Sequence, residues 1–437
     1  MVVAAVLTSI VAIVVGAVNI SRSFDYDEAV TYALFVNGGS PSRALTTQFV
    51  FNNHQTFSVI QAIAWRIGLV GETSQRLLPV MCGVATVGLL TWWVGNRTGA
   101  LAGAFAGLFL LLNPVFVAEF RTLRGYALAT LAVLVAAIAT ERSWHDHRTR
   151  WLVVGAISMT VAVTTHAYSV LPIAVIVIVT AVLRRVRVAH LIAWSLAALS
   201  TFFLQFPLLD DIRDNSEARG SRHTPGFGGR LVDLYLGQRP AVVITMALLS
   251  AVGLWSLGRR SRRVAIALGV SISVVAAAVL LLWQVIEPYD LYPRFFVTIA
   301  PFPAALAAFG VHALPARLGV AAGTLAIALL VPNVIRVLDR EPTIRDASAF
   351  VDAARADGRV VCGASAEPLS AYTAPVRIID QTALGRRASY RGCDVFVAVG
   401  GIGREGRTVA RRRFAHSLNF GGGIVVYSDT PVTALLP

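Results

Sequence analysis

The stretch Thr56-Phe-Ser-Val-Ile-Gln-Ala-Ile-Ala-Trp-Arg-Ile-Gly-Leu-Val-Gly71 decides how the rest of the chain is threaded. It is apolar enough to enter lipid, but it is short and interrupted by Gln61 and Arg66. A helix crossing a hydrocarbon core of about 30 Å needs about 20 apolar residues. If this stretch spanned, every later loop would change sides. The downstream loops oppose that: Arg97, Arg142 to Arg150, Arg184, Arg185 and Arg187, Arg259, Arg260, Arg262 and Arg263, and Arg317 all fall in short basic loops, which stay cytoplasmic. Laying 56–71 along the extracytoplasmic interface keeps all of them on one side.

Apolar runs at 1–20, 76–95, 99–118, 123–140, 151–168, 169–184, 188–206, 239–257, 264–283, 294–312 and 317–338 then predict about eleven spans. The composition agrees, with 56% hydrophobic and only 14% charged residues in 437 and a mean hydropathy of +0.67, against roughly 25% charged in a soluble domain. The net charge of +14 comes from Arg without any Lys. It lies in short runs between apolar stretches and not on one soluble face, so it reads as topology and excludes a nucleic-acid partner.

The first run, Met1 to Ile20, is long for a signal-peptide core and has no basic start, so it is expected to remain as a helix with a cytoplasmic N-terminus. Residues 1–338 form the expected transmembrane domain, with a first extracytoplasmic loop at 21–75, and 339–437 lie outside. There the pattern changes to a helix over Thr343 to Ala356 and β-type runs at Arg359 to Cys362, Val376 to Ile379, Asp394 to Val399 and Gly423 to Tyr427. The expected fold class is a polytopic α-helical membrane protein in the plasma membrane, with a small extracytoplasmic α/β domain at its C-terminus. Cys362 and Cys393 pair if that domain faces an oxidising compartment, or are two unrelated core residues. Cys82, in an apolar span, is packing.

Acidic residues and arginines recur in the outward loops. Phe24-Asp-Tyr-Asp-Glu28 places Asp25, Asp27 and Glu28 where a span meets the interface. A carboxylate there serves as a general base if it points into a partly desolvated site, or else caps the following helix. Asn113 to Tyr126 carries Glu119, Arg121 and Arg124; on one helix the two arginines share a face that either clamps a phosphate or pairs internally. Glu287, Tyr289, Asp290, Tyr292 and Arg294 repeat the theme, and Arg294 either snorkels or holds a lipid phosphate. His166 and Tyr168 close the span ending Thr164-Thr-His-Ala-Tyr168, the histidine as a hydrogen-bonded structural residue or as a ligand. No nucleotide-binding glycine loop, HExxH, GxSxG or paired CxxC is present.

With Asp27-Glu28 after the first span, His54, Arg76-Leu-Leu-Pro79, Arg124-Gly-Tyr126, Thr165-His-Ala-Tyr168 and Pro293-Arg-Phe295 in that order, the chain resembles the GT-C glycosyltransferases. The branch is that of the protein O-mannosyltransferases and the lipid A aminoarabinose transferase. The resemblance implies transfer of a hexose or pentose, mannose or arabinose, from a polyprenyl-phosphate donor to a glycan, glycolipid or protein acceptor of the cell envelope, as in cell wall biogenesis. It also implies inversion at the sugar, Asp27 as base with Glu28 supporting it, and a substrate site that includes Arg124, Arg294, His54, Glu119, Tyr126, His166, Tyr168 and Arg121. No cofactor is required, a divalent cation stays open, and membrane lipid is a partner. The chain departs from the family in having Arg121-Thr-Leu-Arg124 before the loop tyrosine and His54-Gln55-Thr56 where the family has His-Pro-Pro. A transporter or flippase for a lipid-linked sugar is the rival, although it would favour repeated halves and midplane charges that are absent here.

Overall fold

The computed structural model describes residues 1–48, 53–146, 148–183, 186–211, 240–260, 293–339, 343–379, 384, 386–399, 404–421 and 424–429. The expected span at 264–283, the loop residues Glu287, Tyr289, Asp290 and Tyr292, and Arg184, Arg185, Arg262 and Arg263 lie outside the described residues.

The helices begin with α1 (Val2–Ala17), α2 (Tyr26–Thr31), α3 (Pro41–Thr46), α4 (Gln55–Arg66), α5 (Gly71–Thr98), α6 (Ala100–Leu111), α7 (Pro114–Phe120) and α8 (Tyr126–His145). They continue with α9 (Thr149–Thr165), α10 (Val170–Leu183), α11 (Val188–Gln205), α12 (Pro240–Arg260), α13 (Pro301–Ala313), α14 (Ala316–Leu338), α15 (Ile344–Ala356) and α16 (Arg404–Arg413). Contacts divide the chain into a first unit of 1–20, 45–57 and 76–339 and a second of 21–44, 58–75 and 340–437.

The first unit is helical. Among the described residues five helices, α5, α8, α11 with its continuation to Asp211, α12 and α14, are long and apolar enough to cross a membrane, and six if α6 and α7 count as one broken span. This is a multi-pass membrane protein. Large apolar side chains such as Val3, Leu7 and Ile10 on α1 and Leu196, Leu199 and Phe203 on α11 are exposed, as befits surfaces solvated by lipid. The run 99–118, expected as one span, is instead bent by 71°. Asn113 accepts a hydrogen bond from the Phe116 N–H at 3.0 Å and Pro114 opens the next helix, so an N-cap and a proline restart the chain in a new direction. At the segment that set the threading, α4 has 12 residues, about 18 Å of helix and too short to cross the hydrocarbon.

Backbones approach closely between α12 and α13. A Cβ on Gly253 would run into the Leu306 carbonyl, and one on Gly310 into that of Leu249, the small-residue packing that lipid-solvated helices use. The C-terminal end of α1 lacks basic residues of its own. It is served instead by arginines from elsewhere: Arg121 donates to the Val18 carbonyl, and the fully buried Arg76 donates to that of Ile20 at 2.8 Å.

The second unit carries a five-stranded sheet ordered β2-β1-β3-β5-β4, from β1 (Val361–Ala364), β2 (Arg377–Ile378), β3 (Val395–Ala398), β4 (His416–Gly421) and β5 (Ile424–Ser428). The pairs β2·β1 and β1·β3 are parallel, while β3·β5 and β5·β4 are antiparallel. Both β1 and β3 are buried along their whole length, which their continuous apolar character requires. Their register sets Cys362 beside Phe396, and Cys362 is disulfide-bonded to Cys393, which settles the open reading of these two residues. Cys82 is free and buried.

Candidate active site

Within the first unit His54 is delivered by a short segment that hydrogen bonds pin on both sides. The Asn53 N–H donates to Gln48 Oε1 at 2.7 Å, Asn53 Nδ2 to the Thr47 carbonyl at 2.7 Å, and Gln55 Nε2 to the carbonyls of Leu45 and Leu204. Thr56 Oγ1 lies 2.6 Å from Thr164 Oγ1. His54 is thereby set against the end of α9, its Nδ1 3.0 Å from the Thr165 carbonyl oxygen. Gly125 makes the room, since a Cβ there would lie 2.7 Å from the Cβ of His54 and 2.6 Å from Cγ2 of Thr165.

The hydrogen bonds fix the state of the ring. A carbonyl accepts only, so Nδ1 carries the proton; Nε2 then accepts from Arg124 Nε–H at 3.0 Å. A neutral imidazole is also what the surroundings demand. Burial, and next the charges of Arg124, His166 and Arg294, hold the His54 pKa well below its ordinary value, against the opposing carbonyl bond from Thr165.

Around this pair the rings of Tyr126 and His166 close in. Tyr126 lies edge-on to His54 at 4.7 Å and to His166 at 4.9 Å, and the Arg124 guanidinium carbon lies 5.5 Å from the Tyr126 ring centre. His166 caps α9 and its Nε2 lies 2.9 Å from the Phe295 carbonyl oxygen, so this nitrogen donates. Phe295 stacks on Tyr168 at 5.1 Å, and Arg294 precedes it on a 3₁₀ turn over Pro293–Ile299. Arginines and histidines from four separated stretches, with Tyr126, Tyr168 and Phe295, thus form one cluster in which His54, Arg124, Tyr126 and His166 are buried. Its chemistry suits an oxyanion such as a phosphate ester beside an apolar chain.

The second outward loop differs from the expectation that Arg121 and Arg124 share a helical face. The helix α7 ends at Phe120, so Arg121 turns to α1 while Arg124 enters the cluster. Glu119 is half-buried in the last turn of α7, and its backbone carbonyl accepts from Thr122 Oγ1 at 3.0 Å.

Asp27 and Glu28 belong to the second unit, on α2. Asp25 is the N-cap there: it accepts from the Glu28 N–H at 2.8 Å, and Glu28 Oε2 accepts from the Asp25 N–H at 3.0 Å. This capping box engages the fully buried Glu28 in the start of the helix, whereas Asp27 is half-exposed one position earlier. The Asp25-x-x-Glu28 spacing was the available signal for the box. Phe295 and the Thr165 carbonyl carry as much of the geometry as the titratable groups, and no spacing rule singles them out. Among the described residues no three His, Cys, Asp or Glu are grouped to hold a metal ion.

No family model and no curated protein matches the chain. The solved structures do: the fold is that of the GT-C glycosyltransferases. In particular it is similar to ArnT of Cupriavidus metallidurans, with a TM-score of 0.66 in the apo state at 14% identity, covering 99% of this chain and 98% of that one. The same protein bound to undecaprenyl phosphate gives 0.62 at 15% identity over the same shares. The arabinofuranosyltransferase AftD from Mycobacteria gives 0.55 at 16% identity, covering 91% of this chain and 37% of that one.

Proposed function

We propose that the chain is a membrane glycosyltransferase that moves a sugar from a polyprenyl-phosphate donor to a cell-envelope acceptor on the extracytoplasmic face. The observation that carries this reading is the likeness over 99% of the chain to a protein whose structure holds undecaprenyl phosphate, joined to a buried Arg124–His54 pair in a cluster with Arg294, His166 and Tyr126. The assigned topology has about eleven spans, a cytoplasmic N-terminus, and residues 339–437 outside as an α/β domain. The Cys362–Cys393 disulfide supports that placement.

In the reaction Asp27 takes the proton of an acceptor hydroxyl, whose oxygen attacks the anomeric carbon. The bond from that carbon to the lipid phosphate breaks and the configuration inverts. The electron pair leaves on the phosphate, and Arg124 and Arg294 stabilise the charge that develops there. Neutral His54 serves by holding the Arg124 guanidinium in place. Tyr126, Tyr168 and Phe295 offer an aromatic wall to the sugar or to the first isoprene unit. The step needs no cofactor, and a divalent cation would add to the phosphate-binding charge. Arabinose and mannose are the sugars to try first.

The test uses the purified full chain in nanodiscs with undecaprenyl-phosphate-linked arabinose and mannose. The expected result is release of undecaprenyl phosphate coupled to acceptor glycosylation by the wild type, and a loss of about 10²- to 10⁴-fold in Asp27→Asn. Unchanged transfer by Asp27→Asn overturns the role of Asp27. Movement of intact donor between leaflets without cleavage favours a transporter.

A further inference from the structure

The second unit contains a knot of hydrogen bonds that the proposed reaction does not use directly, and it grips the backbone leading into α2. Tyr372, just after a 3₁₀ turn at Glu367–Ala371, accepts the Phe24 N–H on its hydroxyl at 2.7 Å and donates to Glu72 Oε1 at 2.9 Å. The same Glu72 oxygen accepts from Arg345 Nε at 3.0 Å and Nη2 at 2.5 Å. Arg345 also reaches the chain itself: Nη2 donates to the Ser21 carbonyl at 2.8 Å, and its backbone N–H donates to Ser23 Oγ at 3.0 Å.

Every bond ends on the stretch 21–24 or on the group that orients the next donor. The ring of Phe24, 1% exposed, is gripped as well, lying 5.1 Å from Tyr32 and 5.8 Å from Tyr372. The following residue is Asp25, the N-cap of α2, and Asp27 stands two residues further on. Burial pushes the Tyr372 hydroxyl up to about 12, so it remains a proton donor to Glu72 across the ordinary pH range. An exposed loop has no use for two side chains, Arg345 and Tyr372, that reach the backbone of Ser21 and Phe24 while Glu72 holds both of them. A segment that must present a base within a fraction of an ångström does.

We infer that Tyr372, Glu72 and Arg345 are positioning residues that lock the Ser21–Phe24 segment and thereby fix the N-terminal turn of α2 on which Asp27 is carried. The inference rests on the proposed role of Asp27 for its catalytic consequence, but the lock itself is independent of that role. The C-terminal region then acts as a brace for the acidic turn. Sequence changes around 345 and 372 act on turnover without touching substrate.

The experiment combines hydrogen exchange with kinetics on the full chain in nanodiscs. Tyr372→Phe keeps the ring and removes the hydroxyl's bonds, those to Phe24 and Glu72 among them. The expected result is faster exchange of amides 24–31, about fivefold for the loss of ordinary hydrogen bonds, with a larger rise in Tyr372→Phe/Arg345→Met and unchanged exchange in α8. With undecaprenyl-phosphate arabinose, kcat falls about tenfold while KM stays within twofold, the split expected when a base is misplaced and binding is not. Glu72→Gln, which keeps an oxygen for Tyr372, restores part of the loss seen in Glu72→Leu. Unchanged exchange at 24–31 in the double variant, or a raised KM at constant kcat, overturns the inference. If the wild type transfers no sugar, the functional reading fails, and the exchange measurement alone still decides whether the lock exists.

Discussion

Replacing Gly125 by alanine probes the centre of the cluster with one carbon atom. The added Cβ would stand 2.6 Å from Thr165 Cγ2 and 2.7 Å from His54 Cβ, whereas carbon atoms rest at about 3.5–4.0 Å. The Thr165 methyl can rotate away, but the His54 Cβ is attached to a backbone pinned by Asn53 and Gln55. Relief requires His54 to move by about 1 Å, which stretches the 3.0 Å bond from Arg124 past the range where it holds. A hydrogen bond to a charged group is worth about 1.5–3 kcal/mol, and overpacking alone costs about 1–3 kcal/mol. The two share one displacement, so the total is about 2–3 kcal/mol and not the sum, or roughly 30- to 150-fold in the balance between ordered and opened site. The assays are thermal unfolding in detergent and titration with undecaprenyl phosphate. Gly155→Ala, where a Cβ meets nothing nearer than 3.7 Å, serves as control. Gly125→Ala should lose stability and bind the lipid phosphate more weakly. Equality of the two variants in both assays would refute the reasoning.

Other expectations follow from the same structure. Because the His54 pKa is lowered from 6.5, its contribution to stability is complete above about pH 6.5 and is lost as pH falls toward the lowered value, since the unfolded chain binds the extra proton; His54→Gln should flatten that acid limb in a pH series of unfolding temperatures. For Tyr372 the sign is opposite: with a pKa raised from 10.0 to about 12, its stabilisation holds below pH 10 and fades as pH rises through 12, and spectrophotometric titration should show one late phenolate missing from Tyr372→Phe. Gly310→Val drives a side chain into the Leu249 carbonyl and should cost about 1–3 kcal/mol or more, read as lost thermal stability beside an unaffected Gly155→Ala. The denatured, unreduced chain should yield one titratable thiol, Cys82, and three after reduction; with a separation of 31 residues, opening the disulfide should destabilise the second unit by about 3–4 kcal/mol on the chain-entropy account.

Five or six of the expected spans match helices among the described residues, because lipid demands long apolar runs, and the short 56–71 stretch was set aside because the Arg-rich loops after it had to stay on one side. The break at Asn113-Pro114 needed attention to a cap and a proline inside an apolar run, where hydropathy is blind to direction. The histidines and arginines of the cluster sat in weak motifs, Arg124-Gly-Tyr126, Thr165-His-Ala-Tyr168 and Pro293-Arg-Phe295, whose common destination depends on tertiary packing. Periodicity suggested that Arg121 would follow Arg124, but a helix ending at Phe120 sent the two in different directions. The supporting role of Glu28 came from the resemblance alone, while the capping alternative read from the acidic cluster is realised as a capping box with Asp25. The edge strand β4 went unread: it alternates Ser417 and Asn419 with Leu418 and Phe420 over too few residues to stand out. Nothing in local sequence links position 372 to position 24.

The most direct test of the central claim is a structure of the full chain in nanodiscs with undecaprenyl phosphate. Phosphate density is expected within about 4 Å, salt-bridge and hydrogen-bond reach, of Arg124 and Arg294. Phosphate bound instead among the basic loops at Arg142 to Arg150 and Arg187 would contradict it.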